Sequence, residues 1–212
     1  MRLIWLALAS FLATIVYAGK QTEEALSANV ATVLQRAISE KSTLGLTQTV
    51  AAERWLINMS RRLHKRVPER LLRHKLLTIL NYEARRAGLD PQLVLAIIDV
   101  ESDFRHYAIS TAGARGLMQV MPFWVKLIGT PQHNLFDMQT NLRFGCTILR
   151  YYLDQEKGNL SRALSRYNGS VGKRKYANAV LTALHTRWHY STEQRMVSKE
   201  RPKGFLQTRA PQ

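Results

Sequence analysis

The feature that most constrains the fold is an almost unbroken apolar stretch in the middle of the chain, between Pro91 and Glu101. Asp90, just before it, has the side chain of a helix N-cap, and Pro91 suits the first helical position. We therefore predict a helix from Pro91 to about Asp103. Because apolar residues occupy most of its positions, this helix must be buried on most sides. The rest of the chain has to pack around it.

Other segments also have helical periodicity. Residues 71–87 end at Gly88, which favours the left-handed backbone that follows a helix. Residues 19 to about 50 repeat apolar positions three and four apart, as one amphipathic helix would. Residues 54–75 are rich in arginine and lysine and predict two helices broken near Pro68. Since no segment alternates convincingly between apolar and polar residues, we predict an all-α fold with further helices at residues 140–153, 160–167 and 176–188.

The termini differ in composition from the middle of the chain. At the N-terminus, Arg2 precedes an apolar run that ends at Val16-Tyr17-Ala18, the layout of a secretory signal peptide. The run is shorter than the ~20 apolar residues of a spanning helix, so we predict no stable membrane anchor. The sequence thus divides into a signal peptide (1–18), an N-terminal helical segment of unknown role (19–75), a main helical domain (76–189) and a flexible basic tail (190–212).

Charge and cysteine content limit the partners. The chain has 31 Lys and Arg against 15 Asp and Glu, a formal net charge of +16, which favours anionic partners. Nucleic acid, an anionic membrane face and an acidic wall polymer all fit, although predicted export argues against nucleic acid. Cys146 is the only cysteine, so the apolar run is followed by no lipid attachment site and no internal disulfide can form. We expect Cys146 to be a buried, inert thiol.

Glu101 is the candidate catalytic residue, because it lies near the end of the most apolar helix. Desolvation there disfavours the anion and raises the pKa of a carboxyl group. A carboxylic acid that stays protonated near neutral pH can give its proton to the leaving oxygen of a glycosidic bond. The alternative is a surface glutamate at a helix end, which is the commoner situation for an arbitrary glutamate.

Most glycosidases pair two carboxylates, and we find no clear partner for Glu101. Asp99 and Asp103 each lie two residues away, about 200° around the helix, so neither shares its face. Asp137 and Asp154 are not excluded by spacing, but neither has an apolar setting. The sequence therefore favours a single working carboxyl group.

Four segments in order carry a family resemblance. Glu101-Ser102 is followed by Ala108 and Ser110, then by the segment 113–122 (Gly-Ala-Arg-Gly-Leu-Met-Gln-Val-Met-Pro). Asn134 begins a third segment, which continues through Leu135, Asp137, Asn141, Leu142 and Gly145, and the fourth contains Tyr167, Asn168 and Gly172. This order and spacing resemble the catalytic core of lytic transglycosylases, over about half of the chain.

The resemblance implies a lysozyme-like helical domain of the goose-type lysozyme and SLT class, and a function. Lytic transglycosylases cleave the MurNAc-β-1,4-GlcNAc bond of peptidoglycan without water, because the 6-hydroxyl of muramic acid attacks its own C1 to give a 1,6-anhydro sugar. By similarity Glu101 is the acid and then the base, and Tyr167 holds its carboxyl group. The residues expected to contact the sugars are Ser102, Ser110, Gly116, Met118, Gln119 and Asn168.

The same reading gives expectations for partners and location. We expect an exported, non-lipidated monomer of the periplasm or cell envelope, acting on glycan strands within a cell-envelope assembly, with no cofactor and no metal. His185 and His189 are four apart on a predicted helix, but no third ligand accompanies them. Arg166, Ser170 and the bulky pair Phe123-Trp124 depart from the family pattern.

Two other functions stay open at this point. Goose-type lysozymes share the fold and a similar glutamate but use water as the nucleophile. The basic segments could instead form a non-catalytic module that binds wall polymer or nucleic acid.

Overall fold

The structure is a computed structural model that describes residues 21–40 and 50–191. The predicted signal peptide and all but the first two residues of the predicted tail lie outside these ranges. The described residues form eight α-helices and one π-helical turn, with two isolated β-bridges and no strand. The helices are α1 (Ala28–Ser39), α2 (Val50–Leu63), α3 (Arg70–Arg86), α4 (Pro91–Glu101), α5 (Phe123–Ile128), α6 (Met138–Gln155), α7 (Leu160–Asn168) and α8 (Lys175–Ala183), followed by the π-helical turn Leu184–Trp188. The predicted all-α fold class is confirmed.

Helix α4 lies at the centre of the molecule. Asp90 caps it by accepting a hydrogen bond from the Gln92 N–H at 2.8 Å, and Pro91 occupies its first turn, as predicted. All but two of its eleven residues are buried. It packs against α3, α8 and the π-helical turn. Burial on so many sides explains why its sequence lacks the polar stripe of a surface helix.

The helices at the N-terminal side differ from the expected layout. The single helix expected over residues 19 to about 50 is confined, within the described residues, to α1, and α2 begins at Val50. Helix α3 runs continuously across position 76, where the sequence predicts a domain boundary. Helix α5 was not predicted. It is only six residues long, too short to show a helical period.

The N-terminal segment is joined to the main domain by buried polar contacts. Gln21 donates its side-chain amide hydrogen to the Tyr167 carbonyl oxygen and accepts a hydrogen bond from the Trp124 indole at 2.8 Å.

The Arg73 guanidinium is buried and bonds to the carbonyl oxygens of Val67 and Pro68. Part of the predicted basic surface is therefore structural.

The structure also shows how Cys146 is buried and whether any described helix could span a membrane. Cys146 is fully buried, and burial raises the pKa of its thiol, which suits an inert side chain. Within residues 21–40 and 50–191, every helix is too short or too polar to cross a bilayer.

Candidate active site

The carboxyl group of Glu101 is enclosed at the end of α4. The residue is 1% exposed, and this burial raises the pKa of Glu101 from 4.5 to about 8. The Tyr176 hydroxyl donates to Oε1 at 2.7 Å and, by favouring the anion, lowers the pKa in part. The other oxygen, Oε2, has no hydrogen-bond partner among the described residues. The group is thus a neutral acid near neutral pH, with one oxygen held and one available for proton transfer.

The tyrosine that holds Glu101 is not the one expected from sequence. Tyr167 is buried, and its hydroxyl donates to the Met118 carbonyl oxygen at 2.7 Å, so the expectation that it holds the carboxyl group is wrong. Tyr176 makes that contact from the first turn of α8. Burial raises the pKa of Tyr176 well above 10, so it stays a donor over the working pH range.

Asn168 also influences the Glu101 carboxyl group. Its amide lowers the pKa of Glu101, but less than Tyr176 does. Its Nδ2 completes no hydrogen bond of normal length with a described residue, so Tyr176 is the firmer contact. Asn168 is the last residue of α7, and the helix stops there because Gly169 adopts a left-handed conformation with φ 71°.

The two serines expected to contact sugar both hold the chain in place through hydrogen bonds to the backbone. Ser102, 1% exposed, donates its hydroxyl to the carbonyl oxygens of Leu117 at 2.7 Å and Ile98 at 3.2 Å. The Ser110 hydroxyl accepts a hydrogen bond from the Ala114 N–H at 3.1 Å. Both therefore fix the loop between α4 and α5, which also carries Gly116, Met118 and Gln119.

Gly116 and Met118 are where helix α6 supports this loop. A Cβ at Gly116 would lie 2.4 Å from Asn141 Nδ2, and one at Gly145 would lie 2.4 Å from the Met118 sulfur. The buried Asn141 side chain bonds the Arg115 and Leu135 carbonyl oxygens and the Met118 N–H, each at 2.8 Å. Asn141 and Gly145 of the third motif segment lie four residues apart on one face of α6, and both contact the loop.

Gln119 follows directly on this supported stretch. It is 3% exposed, and its Nε2 donates to the carbonyl oxygens of Gly116 at 2.9 Å and Ala108 at 3.2 Å. Its Oε1 has no partner in the described structure. Six such buried side-chain atoms occur among the described residues, and three belong to Glu101, Gln119 and Asn168. Because unpaired buried polar atoms are costly and rare, their concentration on the predicted residues supports a polar ligand there.

Backbone strain flanks the same residues. Asp103, Phe104 and Gln119 have φ of 48°, 61° and 49°, a left-handed conformation that costs of order 1–3 kcal/mol for such residues. Phe104 is held against the Trp188 ring, with centroids 5.3 Å apart. Strain that the surrounding structure maintains is characteristic of functional sites.

Asp99 occupies the far side of the same helix. Its carboxylate accepts hydrogen bonds from Arg187 at 2.6 Å and the Trp188 indole at 2.8 Å, and it pairs with Arg66 at 3.2 Å. Arg66 also pairs with Asp103 at 2.7 Å. Neither aspartate is a free second carboxyl group. These contacts could not be predicted from local sequence, because the arginines come from distant segments.

The departures from the family pattern are accommodated locally. Ser170 follows the left-handed Gly169 and bonds back through its N–H to the Ser165 carbonyl oxygen at 2.8 Å, so the α7 end is regular. Trp124 is buried against Tyr151 and Tyr152 rather than forming a groove wall.

Comparison with known proteins points to the same family as the motif segments do. The family model described as the transglycosylase SLT domain matches residues 78–184. Membrane-bound lytic murein transglycosylase C of Cronobacter sakazakii is 34% identical over 119 residues, 47% of this chain and 32% of that protein. The proteins of that name from Yersinia pestis and Yersinia pseudotuberculosis are each 30% identical over 154 residues, 65% of this chain and 38% of theirs. The chain spans about a third of the length of these relatives.

Proposed function

The chain belongs to the transglycosylase SLT domain family, and on this premise we propose that it is a lytic transglycosylase of peptidoglycan. It cleaves the MurNAc-β-1,4-GlcNAc bond without water and leaves 1,6-anhydromuramic acid ends. The observation that carries the proposal is the buried Glu101 carboxyl group, which is protonated near neutral pH and whose Oε2 has no partner in the described part of the chain.

In the first step, Glu101 gives its proton to the bridging oxygen as the bond from that oxygen to C1 of the muramic acid breaks. In the second step, the resulting carboxylate takes the proton of the muramic acid 6-hydroxyl while that oxygen bonds to C1. Glu101 ends protonated, as it began, and no water is consumed. One carboxyl group with a pKa close to the working pH serves both steps.

The surroundings of the other acids support a single-glutamate mechanism. Each aspartate considered above has a structural partner. Asp99 and Asp103 pair with arginine, Asp137 caps α6 through the Thr140 N–H at 2.8 Å, and Asp154 pairs with Arg150.

We assign roles to the other residues as follows. Tyr176 positions the Glu101 carboxyl group, and Tyr167 and Ser102 position the loop that faces it. Gln119 Oε1 and Asn168 Nδ2 are an acceptor and a donor that can bond N-acetyl and hydroxyl groups of the sugars. Ser110, Gly116 and Met118 support the loop rather than touch substrate.

We also propose that the protein is exported to the periplasm or cell envelope. The support is the signal-peptide layout of residues 1–18 and the name of the relatives, which describes those proteins as membrane-bound. A basic protein of net charge +16 is suited to an acidic wall polymer.

Mass spectrometry of the fragments released from purified peptidoglycan tests the reaction. We expect muropeptides that end in 1,6-anhydromuramic acid. Reducing ends in their place would mean that water is the nucleophile and that the protein is a lysozyme-like hydrolase. Absence of any fragment, with salt-sensitive binding to the polymer, would mean a non-catalytic binding module.

A further inference from the structure

An exposed aromatic cluster lies on the loops beside the candidate site. Tyr107 is 73% exposed and Ile109 64% exposed, both on the loop between α4 and α5. Phe136, on the loop that precedes α6, lies with its ring centroid 6.2 Å from that of Tyr107. We call His106, Tyr107 and Phe136 the aromatic platform.

The platform is held in one arrangement. The His106 and Tyr107 rings are stacked, with centroids 4.5 Å apart and planes at 11°. His106 Nε2 is hydrogen-bonded to the Phe136 carbonyl oxygen at 2.8 Å, and the Arg115 guanidinium lies 5.7 Å from the Phe136 ring centroid. Stacking covers one face of the Tyr107 ring, and its high exposure means that the other face is open to solvent. A ring fixed in this way loses little conformational entropy when it binds a ligand.

The platform is continuous with the candidate site. Ala108, which follows Tyr107, accepts hydrogen bonds at its carbonyl oxygen from the Gly116 N–H at 2.9 Å and from Gln119 Nε2 at 3.2 Å. Ile109 forms an isolated bridge with Arg115. A polymer that contacts Gln119 can therefore extend onto Tyr107 without crossing another element.

We propose that Tyr107, supported by His106, is a stacking subsite for a pyranose ring of the glycan strand, at a distance from the bond that is cleaved. This inference rests on the proposed function, which supplies the strand. A β-linked pyranose has equatorial substituents, so its two faces are formed by C–H groups and pack on an aromatic ring as apolar surfaces. Stacking between two aromatic rings contributes about 0.5–1.5 kcal/mol beyond the buried area, and a contact of that size to a pyranose corresponds to roughly two- to twelvefold in affinity.

Binding of peptide-free glycan strands of defined length to the full chain with Glu101→Gln tests the subsite. We expect Tyr107→Ala, added to that variant, to weaken binding of long strands roughly two- to twelvefold and to leave binding of a disaccharide unchanged. Tyr107→Phe should retain the affinity for long strands, because it keeps the ring. Leu71→Ala is the matched control, since Leu71 is 78% exposed and outside the platform, and it should change neither value.

Equal affinity of long strands for the Tyr107→Ala variant and its parent would overturn the subsite, as would a loss that the disaccharide shares fully. Cleavage of peptidoglycan by the unsubstituted protein is measured alongside. Cleavage without any effect of Tyr107→Ala on strand binding rejects only the subsite. Effects of Tyr107→Ala in a protein that releases no fragments reject the proposed reaction and leave Tyr107 as a glycan-binding residue. If the Glu101→Gln chain binds no strand at all, the subsite is rejected.

Discussion

Helix α4 carries two buried carboxyl groups, Asp99 and Glu101, whose environments are opposite. The Asp99 side chain is 3% exposed and contacts two guanidinium groups and an indole N–H. Glu101 is 1% exposed, but its carboxyl group accepts a hydrogen bond from the Tyr176 phenol, and Oε2 has no partner among the residues that the structure describes. The first carboxyl group is compensated as a charged group, whereas the second is stable as a neutral acid.

The difference shows that burial alone does not identify a catalytic acid. Glu83 is also fully buried, yet it pairs with Arg86 at 2.8 Å and Arg143 at 2.9 Å. Glu101 differs from both acids because it is buried and, within residues 21–40 and 50–191, pairs with no cation. A two-residue step along a helix turns the side chain by about 200°, so one helix can present an acid paired with arginines on one side and an acid with a raised pKa on the other.

The largest effect should follow from removing the proton of the reactive acid. Glu101→Gln keeps the shape of the side chain but has no proton to give, so we expect cleavage of peptidoglycan to fall at least about a thousandfold. Circular dichroism should show an intact fold. Glu53→Gln, at an exposed glutamate in the first turn of α2, is the control and should retain full activity. Near-normal cleavage by Glu101→Gln would remove this residue from the mechanism.

The next largest effect is a pH dependence of stability that belongs to Glu101. Below pH 4.5 the folded and unfolded states both carry the proton. Between pH 4.5 and about 8 the unfolded chain releases it while the folded protein keeps it, so the free energy of unfolding falls as pH rises. Denaturant titrations should show that Glu101→Gln gains roughly 3–5 kcal/mol relative to the unsubstituted protein across this interval. A constant difference would mean that the folded Glu101 titrates normally.

For Asp99, on the other side of α4, we expect substitution to lower the free energy of unfolding. Asp99→Asn leaves two guanidinium groups without their common anion, and because both arginines are partly exposed we expect a cost of roughly 2–3 kcal/mol in the free energy of unfolding. Asp154→Asn is the matched control: its exposed pair with Arg150 should contribute at most about 1 kcal/mol. If chemical denaturation gave equal costs for both substitutions, Asp99 would not anchor the helix.

The smallest effects concern the two tyrosines. Tyr176→Phe removes the hydrogen bond that lowers the pKa of Glu101, so the alkaline limb of kcat/KM should move to higher pH and activity should fall about tenfold. Tyr167→Phe should lower activity less and leave that limb in place, because its hydroxyl bonds the Met118 carbonyl oxygen instead. A limb that moved only with Tyr167→Phe would reverse the two roles.

Local signals in the sequence were sufficient for the central helix and its acid. Asp90 and Pro91 define the start of α4, and its apolar composition already indicates the burial that raises the pKa of Glu101. These features depend on neighbours in the chain. The all-α class follows in the same way from helical periodicity in one segment after another.

Contacts between distant segments could not be predicted in this way. Tyr176 lies 75 residues after Glu101, outside the motif segments. Its one signal is a hydroxyl on the buried face of α8, which also contains Ala177, Val180 and Ala183. Likewise, nothing local shows that Gly116 faces Asn141 or that Ser102 bonds a carbonyl oxygen, since each needs the folded loop. The motif alone did not show which of these residues hold the loop in place.

The contacts that Asp99 makes with its three partners also bear on how a fragment containing Glu101 could be cut from the chain. Arg66, Arg187 and Trp188 all lie outside residues 78–184, the span that the family model covers. A fragment trimmed to that span would retain Asp99 but lose every one of these partners, leaving an orphaned anion two residues from Glu101. Transplanting the activity into another scaffold would therefore require the flanking segments as well.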